Sequence, residues 1–304
     1  DEAIKMIGAG PGHKANLSTD EGVFLAFAFD WMVQGLPQQF DDDLLRGAVV
    51  LQWKQPEANW GGQSWRNVEG QLSATKLFNR HFNSEVWAFP AKLQFDLNDF
   101  SLNLFYTTIM GHTYEVSEGF AELSNRSPSL QDVRAAGARA QLDWRIGPVT
   151  LTLEGDYATG DADPRSNTAI TGYGFPRDEN IGLLLFEHVL AFESARSVGV
   201  GVENLASLDA ASFPISEAGT DGRFTDAIAF FPQLKIDWIN TDVHKLHTRL
   251  GVLFAWSEQG GVDPIMTILT EDGVEITDDA VNFHGGEPGD YYGTEFDAQI
   301  TWDY

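Results

Sequence analysis

The 304-residue chain has no cysteine, which removes disulfide frameworks and thiolate metal sites and makes the redox state of its compartment irrelevant. It also has no apolar run approaching the roughly 18 to 20 residues that a membrane-spanning helix needs, so a helical membrane protein is excluded. Basic residues are scarce: 19 Lys and Arg stand against 45 Asp and Glu, a formal net charge of -26. That balance repels polyanions, argues against nucleic acid and anionic lipid as partners, and makes small cations the natural counter-ions. The first residues do not read as a basic, then apolar, leader, and the sequence is expected to be a mature chain from which any signal peptide has been removed.

Catalytic groupings are equally thin. His244 and His247 are three residues apart in a predicted short connection, and on a strand that spacing puts them on opposite faces. None of the seven histidines stands out with a serine as a nucleophile and base. The chain is therefore expected not to be an enzyme and to hold no catalytic residue, cofactor or structural metal.

What the sequence does contain is long apolar/polar alternation, the signature of strands whose side chains point alternately to two faces. From Glu85 to Leu97 the apolar set is Trp87, Phe89, Ala91, Leu93, Phe95 and Leu97; Asn98-Asp99 is a turn signal, and Phe100, Leu102, Leu104, Tyr106 and Met110 continue beyond it. Two further hairpins turn at Gly147-Pro148, between Ala135 and Tyr157, and near residues 240 to 242, between Ile228 and Trp256. Weaker runs cover Val23 to Val33, Leu45 to Lys54 and Val68 to Phe78, and a final run covers Tyr292 to Tyr304. Pro90 and Pro232 each remove a ladder donor, so a bulge or an edge is expected at both.

Very short connections alternate with long irregular ones at 111–132, 159–225 and 258–290. That is the pattern of transmembrane β-barrels with short periplasmic turns and long extracellular loops. It predicts one all-β domain over 1–304: an antiparallel up-and-down barrel of about 10 to 12 strands, both termini periplasmic and residues 1–20 a periplasmic segment. The larger count applies if residues 181–205 form a hairpin rather than a loop helix. A soluble sandwich or lipocalin-like barrel would share the alternation. The arms of about 11 to 13 residues favour lipid, since soluble strands usually run to about five or six.

Aromatics point the same way. Trp144, Trp238 and Trp302 fall near short-turn ends, and Trp31, Trp87, Trp256 and Tyr292 near long-loop ends, as expected of two membrane-interface girdles. The last residues, Phe296, Ala298, Ile300, Trp302 and Tyr304, resemble the C-terminal signal of outer-membrane proteins, which implies a bacterial, Gram-negative outer membrane with its lipid, lipopolysaccharide and barrel-insertion machinery as partners.

Charges take the other parity. Asp30, Arg46, Lys54, Lys92, Arg139, Arg145, Glu154, Asp156, Lys235, Arg249, Glu295 and Asp297 all face the predicted lumen, either as a salt-bridge filling or as a pore wall. The loops are acidic: 258–290 carries nine carboxylates without one Lys or Arg. These read first as a solvated face, with Asp161 and Asp163 as weak Ca²⁺ candidates.

The stretches GDYATGDADP (155–164) and FPRDENIGLLLFEHVL (175–190) resemble outer-membrane proteins related to alginate-export porins, known mostly from myxobacteria and their neighbours. The resemblance implies a monomeric porin, and for alginate exporters an arginine-rich lumen, to which Arg46, Arg139, Arg145 and Arg249 would contribute. The inward carboxylates are at least as numerous, which weighs against export of an anionic polymer. The expected function is a channel for ions or small hydrophilic solutes. The alternative is a plugged structural barrel whose acidic loops bind a protein partner, a polysaccharide or Ca²⁺.

Overall fold

The computed structural model describes residues 5–6, 21–32, 44–115, 117–118, 127–161, 167–176, 179, 181–186, 223–241, 243–259 and 291–303. Tyr304, Asp163, residues 187–205, and most of 1–20 and 258–290 lie outside them. The described chain is a single antiparallel sheet of twelve strands: β1 (Lys5–Met6), β2 (Gly22–Met32), β3 (Leu44–Trp60), β4 (Gln63–Asn79), β5 (Ser84–Ala88), β6 (Ala91–Leu97), β7 (Phe100–Thr113), β8 (Gln131–Ile146), β9 (Val149–Ala158), β10 (Ala227–Asn240), β11 (Lys245–Ser257) and β12 (Tyr291–Asp303). β5 and β6 lie end to end between β4 and β7, so the sheet is eleven strands wide.

Each strand pairs with its chain neighbour. Four tight connections sit at one end of the sheet: Gly61-Gly62, Asn98-Asp99, Gly147-Pro148 and residues 241–244. Gly61 and Gly62 have φ of +60° and +76°, the conformation of a two-residue turn matched to strand twist, and Asn98 takes +53°. At the opposite end the connections are residues 33–43, 80–83, 114–130, 159–226 and 258–290. They are longer, 80–83 excepted.

Three sequence expectations need adjustment. Pro90 divides one strand into β5 and β6, as a residue without an amide donor should; Phe89 keeps contact with β7 by donating to Thr108 O. At Pro232 neither bulge nor edge forms: β10 runs through it in unbroken register with β9, and its one shift lies further on, between Asp237 and Ile239. The missing donor shows on the other side, where Phe231 and Pro232 have no partner in β11 although the register is the same before and after them. The β3–β4 hairpin is longer than its alternation suggests, because parity breaks near Pro56 and at Asn67 (φ +52°), where β4 shifts register against β6 between Arg66 and Glu69.

The two faces differ in kind. One carries Phe29, Leu72, Trp238, Phe296 and Ile300, all exposed, Phe296 at 79%. Nothing among the described residues covers it. The other carries most of the charges and the small residues, and there the packed core forms.

Candidate functional site: the polar face and its docked loop

The connection after β9 turns back onto the polar face rather than out from the strand ends. Tyr173, Phe175, Ile181, Leu185, Phe186 and Phe224 pack against Ala135, Ala158, Ala227, Ala229, Leu253 and Ala255, with Phe105 and Ile109 at the margin. Alternation in β8 to β11 supplies alanines at these inward positions, and their small size leaves room for the loop's rings. Phe175 touches Tyr173, Phe224 and Phe105 with centroids 5.1, 5.5 and 6.0 Å apart, tilted or edge-on as aromatic quadrupoles prefer. A Cβ on Gly137 would collide with the Tyr173 ring, and one on Gly251 with Phe231, so both glycines exist to admit a ring against backbone.

Two charged residues hold the loop. Glu295 is buried, and its carboxylate accepts the backbone N–H groups of Leu183, Leu184 and Leu185 at 2.6, 2.9 and 2.7 Å. Bonds to an ionised acceptor are stronger than neutral ones. The turn reaches this position because Gly182 adopts φ +71° against Leu253 and Glu295. Arg139 bonds Asp156 Oδ1 at 2.5 Å through Nε, donates to Glu179 O at 2.7 Å, lies 3.6 Å from Glu154 and sits 5.3 Å from the Phe175 ring centroid.

A third anchor lies at the loop end. Asp226 (φ +46°) accepts from Gln259 N and from Tyr292 Oη, while Glu258 accepts from Gly160 N and Tyr157 Oη. Burial pushes the Asp226 carboxyl up to about 6, with the Glu258 charge adding and the donated hydrogen bonds opposing. Burial likewise raises Tyr173, to about 12. Asp161 caps the same region by accepting from Thr171 N, and no group of three metal-ligating side chains occurs among the described residues.

The twelve charged residues expected on one face do share it, in separate groups. Asp30 and Arg46 form a bidentate pair with bonds of 2.8 to 3.1 Å. Lys92 faces Glu69 at 3.8 Å, and Lys235 pairs with Asp237 at 3.0 Å. Lys54 and Arg145 line an open cavity of about 540 Å³ with Glu69, Asp96 and Asp143. Arg249 lies opposite Lys235 and Gln299 in the ladder, and Asp297 opposite Gly251. Arg139, Glu154, Asp156 and Glu295 belong to the loop seat.

Outward aromatics gather at both strand ends. At the tight-turn end Phe100 stacks on Trp144, and Trp238 and Trp302 are exposed; at the loop end are Trp31, Trp87 stacked on Phe89, and Trp256. Tyr292 is not among them. It is buried against Phe186 on the polar face, and Tyr291 contacts Trp256 instead. The register shift between Ala255 and Trp256 moves the parity by one residue.

Sequence reasoning missed the chain of rings Trp53, Trp60, Trp65 and Phe95, in which Trp60 and Trp65 lie beyond the parity break in β3 and β4. It also missed Lys76, which projects on the apolar face, pairs with Glu85 at 2.9 Å and lies over the Trp87 ring. A Lys beside a Trp at a strand end was the available signal. No family model matches the chain, and no similarity to a curated protein or a solved structure emerges.

Proposed function

We propose that the sheet closes β12 onto β2 as a ten-stranded barrel in a bacterial outer membrane and that its polar interior passes ions or small hydrophilic solutes, narrowed by the docked loop. The observation that carries this reading is the inversion of the faces. A soluble β protein buries its apolar face; here the apolar face is bare and bounded by aromatic bands, while the loop packs on the face that bears the charges. Ten alternating strands leave β2 and β12 antiparallel, as closure requires, and their outward residues Val23, Phe29, Trp31, Phe296, Ile300 and Trp302 are 61% to 79% exposed. Among the described residues, β1 meets β2 at Ala26 and Phe27. An uncovered sheet edge of this length invites pairing, and closure removes it.

Planar-bilayer recording of the full chain tests the reading: stable current steps with a defined zero-current potential in a salt gradient are expected. Silence over many insertions defeats it. The infolded loop favours one second reading, a plugged structural barrel whose acidic loops bind a partner, polysaccharide or Ca²⁺. That reading predicts silence in the wild type and conduction only once the loop seat is broken, as in Glu295→Ala.

A further inference from the structure

We infer that, in the channel proposed above and resting on that reading, solutes pass along the wall formed by β2 to β6, and that Lys92 sets the ion preference of that path. The described residues of the docked loop pack on the loop-end half of the polar face between β7 and β12, with Phe175 against Phe105, the Arg139 guanidinium below it, and Phe186 against Tyr292. No described residue of the loop packs on β2 to β6. In the two register rows at Lys92 the other inward residues are uncharged: Ala26, Val50 and Ser73 in one, Gln52 and Gln71 beside Lys92 in the next, with Asp30 and Arg46 nearer the loop end and Lys54, Glu69 and Asp96 nearer the tight turns. Lys92 is also the register partner of Phe105, so it stands at the border between covered and open wall.

Two of the competing cations are held by carboxylates. Arg46 is closed on Asp30 by three hydrogen bonds. Arg139 is 21% exposed, with Asp156, Glu154 and a loop carbonyl around it. Lys92 is 38% exposed, and among the described residues its charged partner is Glu69 at 3.8 Å, longer than a hydrogen bond. Glu69 already accepts the amides of Gln52 at 3.0 Å and Gln94 at 3.3 Å. Screening confines a fixed charge to about 8 Å at physiological ionic strength, so the ammonium that projects over the open wall acts on a passing ion more than one held in a pair. Further towards the tight turns the cavity lined by Lys54, Arg145, Glu69, Asp96 and Asp143 mixes both signs, and no described residue of the loop lines it.

The cysteine-free chain allows a direct test. The full-length Lys92→Cys variant is recorded in a planar bilayer under a KCl gradient, before and after modification by an anionic or a cationic methanethiosulfonate. The anionic reagent should move the zero-current potential towards that of K⁺, and the cationic reagent should restore the wild-type value. Arg139→Cys should react more slowly and shift it less. Gln71→Glu, one register position away, should also move it towards K⁺ and serves if Lys92→Cys does not fold. Wild-type steps together with modified Lys92→Cys, or with Gln71→Glu, at an unchanged potential overturn the assignment alone. A silent wild type overturns the channel reading and the assignment with it.

Discussion

Asp226 shows how one buried carboxyl ties loop stability to pH. Its folded value of about 6 lies above the ordinary 3.8, so between those values the native state binds more protons than the unfolded chain. Stability therefore falls as pH rises from about 4 to about 6, and the strain of the ionised form persists above that. Asp226→Asn keeps the acceptor for Gln259 N and suits the left-handed backbone. The variant should unfold at a higher temperature than wild type at pH 7.5 and at the same temperature near pH 4, as circular-dichroism melts would show. A wild-type advantage at pH 7.5 contradicts the assignment. Gly182 is the second decisive residue: Gly182→Ala imposes a left-handed alanine, costing about 1 to 2 kcal/mol before its contact with Leu253 and Glu295 is counted. Its expected outcome is a protein with unchanged strand content and a destabilised loop, read by limited proteolysis.

At the scale of the element, the loop is a separately seated unit. Three N–H groups converge on Glu295, whereas a glutamine presents a single acceptor oxygen and an N–H₂ group that opposes them. Glu295→Gln should therefore raise amide exchange at Leu183, Leu184 and Leu185 by at least roughly tenfold, equivalent to the loss of one charged hydrogen bond of about 1.5 kcal/mol, while amides in β7 and β8 stay protected. Uniform loosening across the sheet would show that Glu295 supports the strands rather than the loop. The strands depend on their own ladders: β7 and β8 pair without a shift from Phe100 and Trp144 to Thr113 and Gln131.

For the whole molecule, adjacent residues on opposite faces should respond oppositely to charge. Leu153 is an exposed residue of the apolar face, and Thr152 points to the polar face with its hydroxyl on Asp143. In lipid vesicles Leu153→Lys should cost about 2 to 4 kcal/mol if it lies near the midplane. Thr152→Lys gains Asp143 as a partner and should cost far less. Denaturant titration by tryptophan fluorescence measures both, and equal costs would contradict lipid contact on the apolar face.

Where the register is unbroken, alternation by itself determined the face each residue joins, because a period of two needs no knowledge of neighbours. The twelve charges fell on one face for that reason, and the tight turns at Asn98 and Gly147 were legible from local backbone preference. Tertiary structure decided what alternation cannot carry across a register shift. Tyr292 turned inward and Tyr291 outward because the register slips by one residue between Ala255 and Trp256, and Trp53 meets Trp60 and Trp65 across the break at Pro56 and Asn67. It also decided the seat of the loop. The segment around Ile181 is apolar on both parities and states no direction of its own; it folds onto the polar face because alanines in β8 to β11, Glu295 and Arg139 meet it there, residues up to 112 positions away in the chain.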